Sequence, residues 1–230
     1  MCGRFTLTSS GQELAQRFEL GEVPTLAPRF NIAPSQDVAI VRQPAGTAGR
    51  LLELRRWGLV PRFARDPRIG NRMINARSET LHERRAFRDA FRKRRCLVPA
   101  DGFFEWRRRG GVAQPYYIRR VSNGPFAFAG LYEHWEGPEG ACVDSCTVIT
   151  TDANARIRAV HERMPVILDP AAFALWLDPA VDAAERLAPL LAPCPDDWLE
   201  LHPVSPRVND PTWDAPSCIE PTAELQGSLF

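Results

Sequence analysis

The chain has 230 residues, of which 44% are hydrophobic and 25% charged, with a net charge of +1, so it is long enough to bury a sizeable core. No apolar run approaches the ~20 residues of a membrane span, and no basic-then-apolar leader opens the sequence, which excludes a helical membrane protein and predicts a cytoplasmic one. Six cysteines (Cys2, Cys96, Cys142, Cys146, Cys194 and Cys218) are too sparse and irregular for a disulfide scaffold, in keeping with a reducing compartment.

The first stretch, Met1-Cys2-Gly3-Arg4-Phe5, carries unusual chemistry. Removal of the initiator methionine, which a small second residue permits, leaves a cysteine with a free α-amine and a thiol on adjacent carbons. Their unperturbed pKa values, ~7.7–8.0 and ~8.5, leave usable fractions of both reactive forms near neutrality. An aldehyde meeting this pair forms an imine, and the thiol then closes a five-membered thiazolidine. The plainer account of Cys2 is a small buried hydrophobe.

Residues 10–20 read as a short helix, with Ser10 and Glu13 at capping-box spacing and Leu14 and Phe18 as an apolar pair. Pro24, Pro28 and Pro34 punctuate an irregular segment. Residues 37–42 and 50–57 read as strands, followed by a loop over 58–72. Ser78 is placed to cap a helix running to about residue 95, with Leu81, Phe87 and Phe91 inward and arginines outward. Further strands are expected at 96–99, 103–106, 116–120, 126–132, 146–151 and 165–168, with a hairpin turn at Gly110-Gly111. Asp169 and Pro170 start a helix through 177, a second covers 182–191, and a proline-rich tail follows. The pattern predicts one α+β domain over residues 1–230, with a mostly antiparallel β-rich core flanked by short helices.

Positive charge is almost all arginine, Lys93 being the only lysine. It gathers at Arg84, Arg85, Arg88, Arg92, Arg94 and Arg95, at 107–109, and at Arg119 and Arg120. Planar guanidinium forks suit phosphate recognition, and a solvated helix face is the competing account.

Three further residue groups are chemical candidates. Glu105, among the aromatics of Phe103-Phe104-Glu105-Trp106, is either a carboxyl with its charged form disfavoured or a solvent-facing position of an alternating strand. His161 ends a polar loop and titrates near neutrality, although a lone histidine is also an ordinary surface or core residue. Asn75 and Arg77, two apart in an extended segment, share one side and could hold a sugar and its phosphate, or cap loops. Cys142 and Cys146 lack metal-ligand spacing. A Cys-His-Glu set also fits a cysteine peptidase, and an N-terminal cysteine fits an amidotransferase. A non-catalytic single-stranded-DNA-binding module is a third class.

In order along the chain stand Met1-Cys2-Gly3-Arg4-Phe5, Phe30-Asn31-Ile32-Ala33-Pro34, Trp57-Gly58-Leu59-Val60-Pro61 and Ile74-Asn75-Ala76-Arg77-Ser78-Glu79-Thr80. They are followed by Cys96-Leu97-Val98-Pro99-Ala100-Asp101-Gly102-Phe103-Phe104-Glu105-Trp106, Gly130-Leu131-Tyr132, His161-Glu162-Arg163-Met164-Pro165-Val166, and Val204-Ser205 with Val208-Asn209. This ordered set resembles the SOS response-associated peptidase (SRAP) family, the abasic-site processing proteins. The resemblance implies a single SRAP domain with a basic DNA channel ending at the N-terminus. It implies that Cys2 cross-links to the ring-opened aldehyde of an abasic site in single-stranded DNA, with slow reversal and self-processing of the initiator methionine. Asn75 would hold the opened sugar, Glu105 would assist proton transfers, and His161 would act on the sugar hydroxyl. Arg4, Arg77 and Arg163 would contact phosphate, with Asn31, Pro34 and Thr150 also toward DNA. Where some relatives carry two consecutive tryptophans as a wedge, this chain has Phe63 and Ala64. The expected partners are abasic single-stranded DNA and replication-fork proteins, for a monomer with no membrane association, nucleoid-associated when bound to DNA, and no cofactor or metal.

Overall fold

The computed structural model describes residues 2–44, 46–47, 49–182 and 184–225. In chain order its elements are β1 (Phe5–Leu7), α1 (Gly11–Phe18), β2 (Arg29–Ile32), β3 (Asp37–Arg42), β4 (Leu51–Trp57), β5 (Asn75–Arg77) and α2 (Arg85–Lys93). Then come β6 (Arg95–Ala100), β7 (Gly102–Arg109), β8 (Val112–Arg120), β9 (Phe126–Glu136), β10 (Cys142–Asp152), α3 (Ala155–Arg158), β11 (Arg163–Pro165), β12 (Ile167–Leu168), α4 (Phe173–Leu177), α5 (Ala184–Leu187) and β13 (Leu199–Pro203). This is the α+β architecture that the sequence predicts.

Two sheets form the core. One runs in the order β13-β8-β7-β1-β2. In the other, β4, β3, β6 and β9 pair in succession and β9 returns to β10, which itself lies parallel to β4, so the sheet closes into a small barrel. Closure needs strands apolar on both faces, and the β9 segment Phe126-Ala127-Phe128-Ala129-Gly130-Leu131 is buried throughout. Phe5 joins the sheets: its ring meets Trp57 at 5.1 Å and Phe128 at 5.8 Å, both edge-on. Burying each such ring contributes roughly 1.5–3 kcal/mol. The residues just before Phe5 are thereby anchored where the sheets meet.

Local chemistry accounts for several boundaries. Both arms of the Ser10–Glu13 capping box are made, with Glu13 N–H donating to Ser10 Oγ at 3.3 Å and Ser10 N–H to Glu13 Oε2 at 2.7 Å. Gly110 and Gly111, at φ 56° and 78°, supply the left-handed pair a two-residue hairpin needs between β7 and β8. Gly58, at φ 137°, lets the backbone touch Gly70, whose carbonyl oxygen would lie 2.5 Å from an added Cβ. That pinch fixes the base of the loop carrying Phe63.

Three expectations are corrected. The helix predicted from Ser78 is a 3-10 turn (Ser78–Thr80) followed by the shorter α2, because Leu81 is pinned in the core and Glu79 reaches Arg163 rather than a helix N-terminus. The strand expected at 165–168 divides at Val166, whose N–H donates to Ile149 of β10 and whose carbonyl accepts from Ala129 of β9, so it changes partners in mid-course. The proline-rich tail contains β13, paired along β8 from Leu199 opposite Arg120 to Pro203 opposite Tyr116.

Arg95, grouped by sequence with a basic surface, is 4% exposed. Its five hydrogen bonds reach the carbonyls of Phe91, Arg92, Trp176, Asp178 and Val181 at 2.5–3.0 Å. It holds the last turn of α2 to the end of α4.

Candidate active site

Cys2 lies three residues before the start of β1 and is fully buried. Its thiol lies 3.9 Å from the Arg4 carbonyl oxygen, and its own carbonyl accepts from Asn75 Nδ2 at 2.8 Å. Asn75 is held by β5, which runs parallel to β10 with Asn75 opposite Val148 and Arg77 opposite Thr150. The other end of the Asn75 amide, Oδ1, is buried without a hydrogen-bond partner among the described residues. One end of this amide therefore fixes Cys2, and the other is available to a donor entering the site.

Glu105 lies on β7, the neighbour of β1, and Phe104 N–H donates to the Arg4 carbonyl at 3.0 Å. Phe103, Phe104 and Glu105 are all buried, Glu105 to 2% exposure, so the solvent-facing alternative for Glu105 is wrong. Burial pushes its carboxyl up to about 7. His161 Nε2 stands 4.0 Å from Glu105 Oε2. His161 Nδ1 rests on the Arg163 main chain, 3.0 Å from its nitrogen and 3.1 Å from its oxygen. When Nδ1 accepts the Arg163 N–H, the neutral ring carries its proton on Nε2, toward Glu105. Burial is also the leading cause that lowers His161 from its ordinary value. The Cys2 thiol is pushed well above the usual thiol range, first by burial and then by the charge of Glu105.

The arrangement gathers four of the sequence candidates: Cys2, Asn75, Glu105 and His161. Near neutral pH it holds a protonated thiol, a carboxyl able to give or take a proton, and a neutral imidazole. Among the described residues, no three His, Cys, Asp or Glu side chains converge to hold a metal.

The residues expected to face DNA divide sharply. The Arg4 guanidinium donates to Asn31 Oδ1 (2.9 Å), Val208 O (2.6 Å) and Asn209 O (3.1 Å), all neutral acceptors that orient the charge without cancelling it. Arg77 is exposed and has no ion pair among the described residues. Pro34 is half-exposed at the turn between β2 and β3. Phe63 is 46% exposed. Asn31 and Thr150 are fully buried, which corrects their reading as direct strand contacts. Asn31 Nδ2 instead donates to the carbonyls of Val208 (3.2 Å), Asp210 (2.9 Å) and Trp213 (2.8 Å). Arg163 is half-buried and braced by its own chain. Its fork is taken by Glu79 (2.6 and 3.0 Å), Asp152 (2.6 Å) and the Thr150 carbonyl (2.8 Å).

Sequence reasoning missed the C-terminal strap that supports the site. Trp106 Nε1 donates to Asn209 Oδ1 at 2.7 Å, and Asp214 accepts from Arg29 Nε at 2.5 Å and from Asn31 N–H at 3.0 Å. The Phe30–Pro34 and Val208-Asn209 motifs were visible as separate signals, but nothing local revealed that they clasp one another.

The SOS response associated peptidase (SRAP) family model matches residues 1–211. The abasic site processing protein YoqW of Bacillus subtilis is 42% identical over 224 residues, covering 96% of this chain and 99% of its own length. The abasic site processing protein HMCES of Xenopus tropicalis is 31% identical, covering 86% of this chain and 68% of its own length. A Bacteroides thetaiotaomicron crystal structure aligns with a TM-score of 0.87 over 96% of this chain and 100% of that one, and at 24% identity it establishes the fold. A Bordetella bronchiseptica structure aligns at 0.74 with 28% identity, covering 89% and 100% of the two chains.

Proposed function

The chain belongs to the SOS response associated peptidase (SRAP) family, and from that premise and the geometry of its site we propose that it processes abasic sites in DNA by covalent capture. The substrate is the ring-opened aldehyde of an abasic site in single-stranded DNA, and the reacting residue is Cys2 after removal of Met1.

The chemistry balances with the groups at hand. The neutral Cys2 amine attacks the aldehyde carbon, giving a carbinolamine. Protonated Glu105 donates to the departing hydroxyl, which leaves as water, and an iminium forms. The thiol proton passes to the Glu105 carboxylate as sulfur adds to the same carbon, closing the thiazolidine and regenerating the acid. One water is released overall and nothing is oxidised or reduced. His161 exchanges protons with the sugar hydroxyl and with Glu105, and the open Asn75 Oδ1 receives a hydrogen bond from the bound sugar. Reversal retraces these steps. Arg4 and Arg77 attract the phosphates, a contribution that weakens with salt.

One observation carries this reading: the buried, protonated Cys2 thiol beside a carboxyl that titrates at about 7. A cysteine peptidase works through a thiolate, which needs a lowered pKa, and burial drives this thiol the other way. A ring-closing thiol has no such need, because it reacts with an adjacent iminium and a base takes its proton.

The test is incubation with a single-stranded oligonucleotide bearing one abasic site. Wild type is expected to give a denaturant-resistant adduct and Cys2→Ala none. Cys2→Ser, which keeps the amine, is expected to give an adduct only when borohydride is present. A stable adduct with Cys2→Ala would overturn the aminothiol mechanism, and intact-mass measurement of each preparation verifies that Met1 has been removed.

A further inference from the structure

The arginine groups marked in the sequence are used differently. On α2, Arg92 is paired with Asp182 at 2.7 Å and Arg95 is buried on carbonyls, whereas Arg84 and Arg85 are exposed with no ion pair among the described residues. The run Arg107-Arg108-Arg109 ends β7 at its hairpin with β8. Arg108 and Arg109 are exposed and have no ion pair among the described residues, while half-buried Arg107 is met by the carboxylate of Glu224.

That carboxylate arrives from more than a hundred residues away. Residues 221–225 run past β13 and β8: Pro221 bridges to Val204, Thr222 N–H donates to the Pro203 carbonyl at 2.9 Å, and Leu225 N–H donates to Gln114 Oε1 at 2.8 Å. Between these anchors Glu224 places one oxygen on Arg107 Nη2 at 2.6 Å and the other on the Tyr116 hydroxyl. The hydroxyl and then the guanidinium hold its carboxyl below the usual carboxylate range, so it is charged near neutrality. The Arg107 guanidinium also lies over the Tyr116 ring, 5.0 Å from its centroid.

The place of this contact gives it meaning. Tyr116 stands opposite Glu105 in the β7–β8 register, and Arg107 is two residues beyond Glu105, so strand alternation puts all three on one face of the sheet. Arg107 and Tyr116 therefore extend the wall of the candidate active site. A carboxylate held by a guanidinium and a hydroxyl presents two anionic oxygens, as a phosphodiester does with its non-bridging pair. Arg107 Nε is buried without a hydrogen-bond partner among the described residues, a donor that the carboxylate leaves unmet.

Resting on the reading of this chain as a single-stranded-DNA-binding protein, we propose that Arg107 and the Tyr116 hydroxyl form a further phosphate subsite beside the active site, which Glu224 occupies as an internal mimic until the strand displaces it. The ion pair is open to water, at 31% and 51% side-chain exposure, and such pairs contribute little to stability, so a phosphate competes readily for the same donors. Pro221 and Thr222 are anchored separately, so Glu224 leaves without unfastening the strap. A strand already held by Arg4 and Arg77 presents its next phosphate at high local concentration and expels Glu224, which a free anion does not do.

The test measures affinity for an undamaged single-stranded oligonucleotide, which forms no covalent adduct, by fluorescence anisotropy across a salt series. Glu224→Ala is expected to bind about three- to tenfold more tightly than wild type, because affinity is reduced in proportion to the fraction of molecules whose subsite is open. Arg107→Ala should bind more weakly and lose about one single-strand phosphate contact, ~0.7, from the log–log salt slope. In the Arg107→Ala background, Glu224→Ala should gain little, since the main donor it uncovers is gone. Glu220→Ala, which removes an equal charge from an exposed position of the same tail, should bind much as wild type does. A strand of base-free spacers without an aldehyde should show the same gain with Glu224→Ala, because the subsite reads phosphate, and a gain confined to strands with bases would contradict it. If Glu224→Ala binds the undamaged strand no more tightly than wild type, the inference fails while the DNA reading stands. If Glu220→Ala gains as much, or if the full gain survives Arg107→Ala, the effect is general charge and the inference fails as well. If neither wild type nor Glu224→Ala binds any single strand, the DNA reading and the inference fall together. Thermal melting of every variant separates a loss of folding from a loss of binding.

Discussion

Arg95 and Glu105 are both ionisable and almost fully buried, at 4% and 2% exposure, yet they are built in opposite ways. Arg95 meets five backbone carbonyls with its five donors, so its charge is solvated by the protein and fixed in one geometry. Glu105 sits between Phe104 and Trp106 in the chain, and its charged form is disfavoured enough that the carboxyl titrates at about 7. The first serves as structure because nothing is left to change. The second is suited to chemistry because its proton is poised to move.

The comparison makes unequal predictions. The largest concerns Arg95→Met, which preserves bulk but leaves five carbonyls without their donor. A loss on the order of 3 kcal/mol or more is expected in chemical denaturation, and a change within about 0.5 kcal/mol would break the structural half of the comparison.

Glu105→Gln should act the other way. The folded-state pKa of Glu105 is raised above its unfolded value of ~4.3, so its stabilising contribution is present below that value and is lost as pH rises through about 7. Above pH 7 the Gln variant is expected to be more stable than wild type, by on the order of 2 kcal/mol. Cross-linking should move oppositely. The wild-type rate should rise as the amine deprotonates and fall as Glu105 loses its proton above about 7, giving a bell-shaped profile. The Gln variant should be slow and lack the descending limb, and an unchanged profile would remove Glu105 from the proton path.

Asn31→Ala tests the intermediate case, a buried polar group that supports function through another residue. It removes the amide's hydrogen bonds to three strap carbonyls and one acceptor of Arg4, so a loss of about 1–3 kcal/mol in stability is expected. Affinity for undamaged strand should fall with it as Arg4 loosens, whereas Asn31→Asp, which keeps the acceptor, should retain part of that affinity. Equal affinity in all three proteins would confine Asn31 to folding.

How much of this was legible in the sequence follows the range of the signals. The Ser10–Glu13 capping box, the Gly110-Gly111 hairpin and most β strands are written in neighbouring residues, and they stand where those residues indicate. The four residues that meet at the site were each marked by an unusual local setting. Their convergence depends on β1 lying beside β7 and β5 beside β10, pairings that no local pattern encodes. The same limit explains the misreadings. Nothing near Arg163 in sequence announces its ion pair with Glu79, and nothing near Asn31 announces its burial by a strap that arrives some 180 residues later. The β13 alternation of Leu199 and Leu201 with Glu200 and His202 was present but masked by the prolines around it. Arginine content alone could not separate Arg85 from Arg95, since only packing decides which charge is consumed.

The central claim is that the Cys2 thiol closes a ring on the abasic aldehyde rather than attacking as a thiolate. The most direct measurement is the intact mass of the purified adduct before and after borohydride. The account predicts the mass of the methionine-free protein plus the oligonucleotide less one water, unchanged by borohydride because a thiazolidine has no C=N bond to reduce. A gain of two hydrogens on treatment would show an open imine, and an adduct joined through any residue other than Cys2 would contradict the account outright.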